Sequence, residues 1–228
     1  MRVLSLFSGI GGLDLAAEWA GMTTVAFCER DKYCQKVLAK HWPGVPIFDD
    51  VTTLRGDQVG TVDLITGGYP CQPFSVAGKR RGKEDERYLW PEFMRLVREL
   101  EPAWVVGENV GGHVTNGLDD VCNGLEAEGY AVQPFVFPAS AVGANHERER
   151  CFVLAHSDRA LGKRNQCAKR TNQERTEHFF DGGRPCPSRI NRVANGVPNR
   201  VDRLKALGNA VVPQQAFPIF KAIAEVSA

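Results

Sequence analysis

Cys71 lies in the run Gly67-Gly68-Tyr69-Pro70-Cys71-Gln72-Pro73-Phe74-Ser75, directly after an apolar stretch, Val62 to Thr66. Gly67 and Gly68 let the backbone bend and let a ligand approach closely. Pro70 fixes the turn and lifts the thiol out of the strand. A cysteine that only fills a core needs none of this, whereas a nucleophilic one needs an exposed thiolate on a rigid turn. Further chemistry-bearing residues follow a pattern. Phe7-Ser8-Gly9-Ile10-Gly11-Gly12 offers a glycine loop open to a ligand, Glu29 a carboxylate that can accept from both hydroxyls of a ribose, and Asp50 one placed for an adenine amino group. Each acid alone reads as a surface or capping residue. In this order, and with no Gly-x-x-x-x-Gly-Lys for phosphates, they describe a nucleoside pocket suited to S-adenosylmethionine.

These residues need a scaffold that presents them together. Arg2–Phe7, Thr23–Phe27, 46–48, Val62–Thr66, Ala103–Gly107, Tyr130–Phe137 and Cys151–Ala155 read as strands. Leu13 to about Gly21, Asp31–His41, Trp90–Leu100, Leu118–Glu128, Arg200–Ala206 and Gln215–Glu225 read as helices, with stops at Gly21, Pro43-Gly44, Pro102 and Gly129. The alternation predicts an α/β fold with a doubly wound, mostly parallel sheet. The candidate residues then fall at the carboxyl ends of strands, where open α/β sheets bind ligands. Glu108 and Asn109 end the strand at Ala103–Gly107, in register with Cys71.

The chain has 228 residues and a formal net charge of +1. That length suits one domain with a small appendage. The balance conceals a split: Ser157 to Lys205 holds twelve Lys or Arg against five Asp or Glu. A basic segment on an acidic body is the footprint of a polyanion contact, although composition alone equally describes a solvated loop. The division expected is 1–156 for the body that carries the candidate catalytic and cofactor residues, 157–199 for the basic appendage, and 200–228 returning to the body. No run reaches the roughly 18 apolar residues of a membrane span, and the N-terminus reads as a strand rather than a signal peptide. Seven cysteines without Cys-x-x-Cys argue for reduced thiols and against a metal site. Cys28 and Cys151 read as strand core, and Cys167 and Cys186 as surface thiols.

The ordered set closely resembles the cytosine-C5 DNA methyltransferase family over most of the chain. Phe7 to Gly12 is similar to its cofactor loop, Glu29 to its ribose-binding acid, Asp50 to its adenine-binding acid and Pro70-Cys71 to its nucleophile motif. Glu108-Asn109-Val110 resembles its Glu-Asn-Val, His146-Glu147-Arg148-Glu149-Arg150 its Gln-x-Arg-x-Arg, and Gly208-Asn209-Ala210-Val211 its final Gly-Asn-Ser-Val. The resemblance implies a Rossmann-like S-adenosylmethionine-dependent fold with a short basic target-recognition appendage. It makes Cys71, Glu108, Arg148 and Arg150 catalytic. Phe7, Ser8, Gly9, Gly11, Gly12, Glu29, Arg30, Asp50, Val51, Gly68, Pro70, Leu89, Asn209 and Ala210 would hold the cofactor. Gln72, Ser75, Lys79, Arg80, Arg81 and Lys83 would meet double-stranded DNA, the last four on a loop that closes over an extruded base. Ala144-Asn145-His146 departs from the family's Val-Pro-Gln, and Ala210 stands where the family has serine; no catalytic role falls to His146.

The resemblance further implies a monomeric, cytoplasmic, nucleoid-associated bacterial enzyme with a possible cognate restriction endonuclease. The residues also leave open a tRNA cytosine-C5 methyltransferase and a non-catalytic DNA-binding protein on the same scaffold. An NAD-dependent oxidoreductase rests only on the glycine loop and is disfavoured by the Cys71 turn.

Overall fold

The computed structural model describes residues 1–70, 89–112, 117–157 and 200–227. Seven strands form one sheet, with β1 at Arg2–Leu6, β2 at Thr23–Cys28, β3 at Ile47–Phe48 and β4 at Leu64–Gly67. The others are β5 at Trp104–Val110, β6 at Tyr130–Phe137 and β7 at Arg150–Ser157. Their order is β3-β2-β1-β4-β5-β7-β6. All run parallel except β7, which pairs antiparallel with both β5 and β6. The mostly parallel α/β sheet expected from the alternation is therefore observed.

Helices cover both faces: α1 (Gly12–Trp19), α2 (Lys32–His41), α3 (Trp90–Leu100), α4 (Leu118–Ala127), α5 (Arg200–Asn209) and α6 (Pro213–Ser227). Because successive strand residues point to opposite faces, the central strands feed two cores. Leu4, Ile65, Val105 and Val153 pack with Phe93, Leu96 and Val97 of α3 and Leu125 of α4. Val3, Leu64, Val106 and Phe152 pack with Leu13 and Ala16 of α1 and Ala216, Ile219 and Phe220 of α6. Burial on both faces explains why these strands read as continuous apolar runs.

Local chemistry sets the helix ends. Asp31 caps α2, its carboxylate accepting from the backbone N–H groups of Tyr33 (2.9 Å) and Cys34 (3.3 Å). Pro91 opens α3 in the position where a missing N–H costs nothing, and Glu101 closes it in the left-handed region before Pro102. On the α3 surface, Arg95 donates to the carbonyls of Val51 and Leu54, each at 2.8 Å, and so ties the helix to the loop after β3.

One strand runs further than its sequence suggests. Glu108, Asn109 and Val110 look like a polar strand end, yet they continue β5 because β7 supplies Phe152, Cys151 and Arg150 as ladder partners. That pairing is non-local and antiparallel, so the local pattern carries no trace of it. The C-terminal helices return to the body: the Trp104 indole N–H donates to Ser227 Oγ at 3.1 Å, and Gln215 Nε2 donates to the carbonyls of Phe137 and Arg148. Among the described residues no helix is long and apolar enough to cross a membrane.

Candidate active site

A cavity of about 740 Å³ opens at the carboxyl edge of β1, β2, β4 and β5, closed on its far side by the segment from Lys205 to Val211. The glycine loop forms one wall. Phe7 takes a positive φ of 51° and Gly9 one of 56°. A Cβ built on Gly9 would meet nothing within 4 Å, so this glycine serves backbone conformation beside open space, as a ligand-facing loop requires. Gly9 N–H donates to Glu29 Oε2 and Asp31 N–H to Glu29 Oε1, both at 2.7 Å. These bonds use two of the carboxylate's roughly four acceptor positions, leaving capacity for a diol.

The remaining loop glycines answer to packing. A Cβ on Gly11 (φ 84°) would lie 2.5 Å from the Trp42 ring, and one on Gly12 2.7 Å from the Val211 carbonyl oxygen. Gly12 lines the cavity, whereas Gly11 does not. The absence of a side chain at Gly11 makes room for a tryptophan.

Three other expected cofactor residues do not line this cavity. Asp50 is exposed and does not reach the cavity wall; its Oδ1 accepts from Thr52 N–H (2.9 Å) and Thr52 Oγ1 (2.8 Å), capping the turn after β3. Val51 is buried in the core with Leu54 and Cys28. Leu89 packs against that core, its carbonyl receiving Phe93 N–H at the start of α3. Ser8, Glu29, Arg30, Gly68, Pro70, Asn209 and Ala210 do line the cavity. Sequence reading missed Asp31, Tyr69, Lys205 and Val211, all on its wall. Lys205 Nζ lies 2.7 Å from Asp31 Oδ2, a contact between residues 174 positions apart that no local signal announces.

Glu108 and Arg150 meet at the inner end. Arg150 stands opposite Val110 and Glu108 opposite Phe152, so the two are diagonal neighbours on one face of the β5–β7 ladder. Arg150 Nε lies 2.7 Å from Glu108 Oε1. Glu108 is 6% exposed. Burial pushes its carboxyl up to about 7, against the pull of Arg150 and Arg148 in the other direction. A carboxylic acid with that midpoint carries a proton half the time near neutrality and can donate it.

Arg148 ties its loop to the C-terminal part of the chain. Its Nη2 donates to the carbonyl oxygens of Gly208 (2.8 Å) and Ala210, so it holds the closing segment rather than the cavity's reacting end. Desolvation lowers its guanidinium's affinity for the proton. Arg148 itself sits at φ 38°, which turns the chain between the exposed Glu147 and Glu149.

The β4 turn arrives beside Glu108. A Cβ on Gly68 would meet Glu108 Oε2 at 3.0 Å, and Asn109 Nδ2 donates to the Tyr69 carbonyl at 3.1 Å. Cys71, Gln72, Ser75, Lys79, Arg80, Arg81 and Lys83 lie outside the described residues, as does the basic segment from 158 to 199 with Cys167 and Cys186. The other cysteines carry no sign of activation. Cys28 and Cys151 are buried strand thiols, as expected, and burial pushes Cys28 up to about 12 and Cys151 to about 11. His146 is exposed, outside the cavity wall.

Comparison with known proteins follows this geometry. A family model for C-5 cytosine-specific DNA methylase matches residues 1–188. The chain is 34% identical over 205 residues to the Type II methyltransferase M.AquIA of Picosynechococcus sp., covering 78% of this chain and 82% of that protein. It is 35% identical over 161 residues to M.HgiCII of Herpetosiphon aurantiacus, covering 67% of this chain and 36% of that one. It therefore spans well under half of M.HgiCII, and 42% of M2.BsuMI of Bacillus subtilis. Among solved structures, a prophage-encoded Escherichia coli protein described as a DNA modification methyltransferase superposes with a TM-score of 0.60 and 31% identity, covering 70% of this chain and 47% of that one. Spodoptera frugiperda DNMT2 shares the fold, with a TM-score of 0.61 at 24% identity over 81% of this chain and 57% of that one.

Proposed function

The chain belongs to the C-5 cytosine-specific DNA methylase family, and from that premise we propose that it methylates C5 of cytosines in double-stranded DNA. The observation that carries the reading is the buried Glu108–Arg150 pair, which meets the Gly68–Pro70 turn on the wall of one cavity.

S-adenosylmethionine fits the cavity's other end: an open Gly9 beside the Glu29 carboxylate, with Phe7, Ser8, Gly12, Arg30, Asn209 and Ala210 around it. When bound, it supplies an electrophilic methyl group. The chain's residues supply the rest. Cytosine C5 is a poor nucleophile while the ring is aromatic. The Cys71 thiolate adds to C6, forming an S–C6 bond and moving an electron pair toward C5. Glu108, its proton affinity raised by burial, donates in its protonated form to N3 and draws electrons from C6. Arg150 stabilises charge on the cytosine O2 as it develops, in a site from which much water is excluded. After C5 gains the methyl group, its proton passes to a base, for which an ordered water suffices, and the thiolate leaves C6. The ring is then aromatic again.

Such chemistry cannot reach a stacked base, so the cytosine must leave the helix. Lys79, Arg80, Arg81 and Lys83 bind phosphates around it, with Gln72 and Ser75 beside the base, and the basic 157–199 segment selects the target in the major groove. A cognate endonuclease is the matching partner in the cell, and the bacterial nucleoid the place of action.

The decisive experiment offers a duplex carrying 5-fluorocytosine. Fluorine cannot leave as a proton does, so a denaturation-resistant protein–DNA adduct is expected with the native chain and none with Cys71→Ala. Equal adduct from both, or an adduct on tRNA in place of DNA, overturns the reading.

A further inference from the structure

Gly107 has no conformational reason to be glycine. It lies inside β5, outside the set of positive-φ residues, in backbone that any side chain can adopt. What it provides is space. A Cβ there would stand 2.9 Å from Cε1 of Tyr69, closer than real Cβ atoms approach a neighbour.

The Tyr69 ring has no room to retreat. It is 4% exposed and packed against Trp90, with centroids 4.8 Å apart, and edge-on to Phe93 at 6.3 Å. Trp90 in turn stacks on Phe93 at 4.9 Å. Val153 closes the same side of Gly107, its Cβ 3.8 Å from the added methyl position. The Tyr69 carbonyl is held by Asn109 Nδ2 as well. One residue therefore touches β5 at two points, ring on Gly107 and carbonyl on Asn109, and the next residue is Pro70 on the cavity wall.

The contact is reciprocated. Gly67 and Gly107 are register partners in the parallel β4–β5 pair. One step further on, Gly68 makes room for the Glu108 carboxylate at 3.0 Å while Gly107 makes room for Tyr69. Each strand end receives the other's side chain over a glycine. The gap between the turn and the carboxyl is set by ring and backbone contacts that a single methyl group would disturb.

We propose that Gly107, acting through Tyr69, is a positioning residue that fixes the distance between the Gly68–Pro70 turn and the Glu108 carboxyl. This rests on the reading above, in which the turn carries Cys71 and both groups flank one cytosine. Displacement of a reacting group by about 1 Å costs on the order of 100-fold in rate. Gly107→Ala in the full chain is expected to lower kcat by about 10- to 100-fold, with little change in KM for DNA. Calorimetric affinity for S-adenosylmethionine should stay within about twofold, because Glu29 and Gly9 are untouched.

A cycle distinguishes positioning from general damage. In the Tyr69→Leu background the ring edge is gone, and Gly107→Ala should then cost less than about threefold; in the Tyr69→Phe background, which keeps Cε1, the full cost should persist. Gly107→Ala with native kcat, or with an equal loss in the Tyr69→Leu background, overturns the proposal. Circular dichroism and thermal melting identify any variant that fails to fold; should Gly107→Ala do so, Tyr69→Leu alone, which removes the ring edge and adds no atom at Gly107, should lower kcat with little change in KM, and native kcat in it overturns the proposal. Should the native chain transfer no methyl group, the functional reading falls while the pairing is still judged by carboxyl 13C titration of Glu108. Gly107→Ala should move that midpoint, and an unmoved midpoint overturns the pairing.

Discussion

Two carboxyls are buried among the described residues, one on a helix and one on a strand, and they differ in what surrounds them. Asp14, in the first turn of α1, is 0% exposed and accepts from Ser5 Oγ and Thr24 Oγ1, each at 2.9 Å. Glu108 is nearly as deep, but it has the Arg150 guanidinium at 2.7 Å and one side on the cavity. Burial raises both, Asp14 to about 6 and Glu108 to about 7. A raised carboxyl is therefore no sign of function by itself. Asp14 braces α1 against β1 and β2 through neutral hydroxyls and does not line the cavity. Glu108 combines the same desolvation with access to a ligand, which a group that passes a proton to a substrate needs, and with a cation that moderates the rise.

The largest expected effect separates them by activity. Glu108→Gln keeps the shape and removes the proton donor. Methyl transfer should fall by about 10²- to 10⁴-fold, while calorimetry finds cofactor affinity unchanged. The native kcat/KM should also decline as pH rises through about 7, where Glu108 loses its proton. A pH profile flat between pH 6 and 8.5 would break the contrast.

Stability should separate them the other way. Asp14 binds its proton more tightly folded than unfolded, so its contribution is full below the ordinary carboxyl value of 3.8 and is lost as pH rises through about 6. Asp14→Asn removes that loss. Urea denaturation should find the variant more stable by about 1–3 kcal/mol at pH 8, with the gain vanishing toward pH 4 and methyl transfer retained. A variant less stable than the native chain at pH 8 would show that the ionised group is favoured in place.

The smallest effect is expected at a half-buried acid on the cavity rim. Asp31 is held below the usual carboxylate range chiefly by the hydrogen bond from Lys205. Water and salt screen such a pair. Lys205→Ala should change cofactor affinity by less than about twofold in calorimetry, although both residues line the cavity. A tenfold loss would promote Lys205 from rim to ligand contact.

Much of this was legible from residue order. The Gly9 turn, the strand-end Glu29, Pro70 before Cys71 and the pair Glu108-Asn109 each have local signatures: a turn residue, an acid after an apolar run, a stop. Helix α3 was readable at both ends because Pro91 and Pro102 punctuate it. Asp50, Val51, Leu89 and Gly11 read as cofactor contacts because their positions along the chain are right. What the chain order could not announce is their local company: Asp50 caps a turn, Val51 and Leu89 pack with the core, and Gly11 makes room for Trp42, all set by neighbours in space.

The sequence by itself determined the family, the alternating fold and which groups are candidates for the chemistry, because motif spacing and apolar period are properties of the chain. Only the tertiary structure decided what those groups meet. The pairing of Arg150 with Glu108 needs an antiparallel β7 laid beside β5. The hold of Arg148 on Gly208 and Ala210 spans about sixty residues. The Tyr69–Gly107 contact needs two parallel strands in one register. Burial, which sets the proton affinity of both Asp14 and Glu108, is a property of the packed core and belongs to no residue alone.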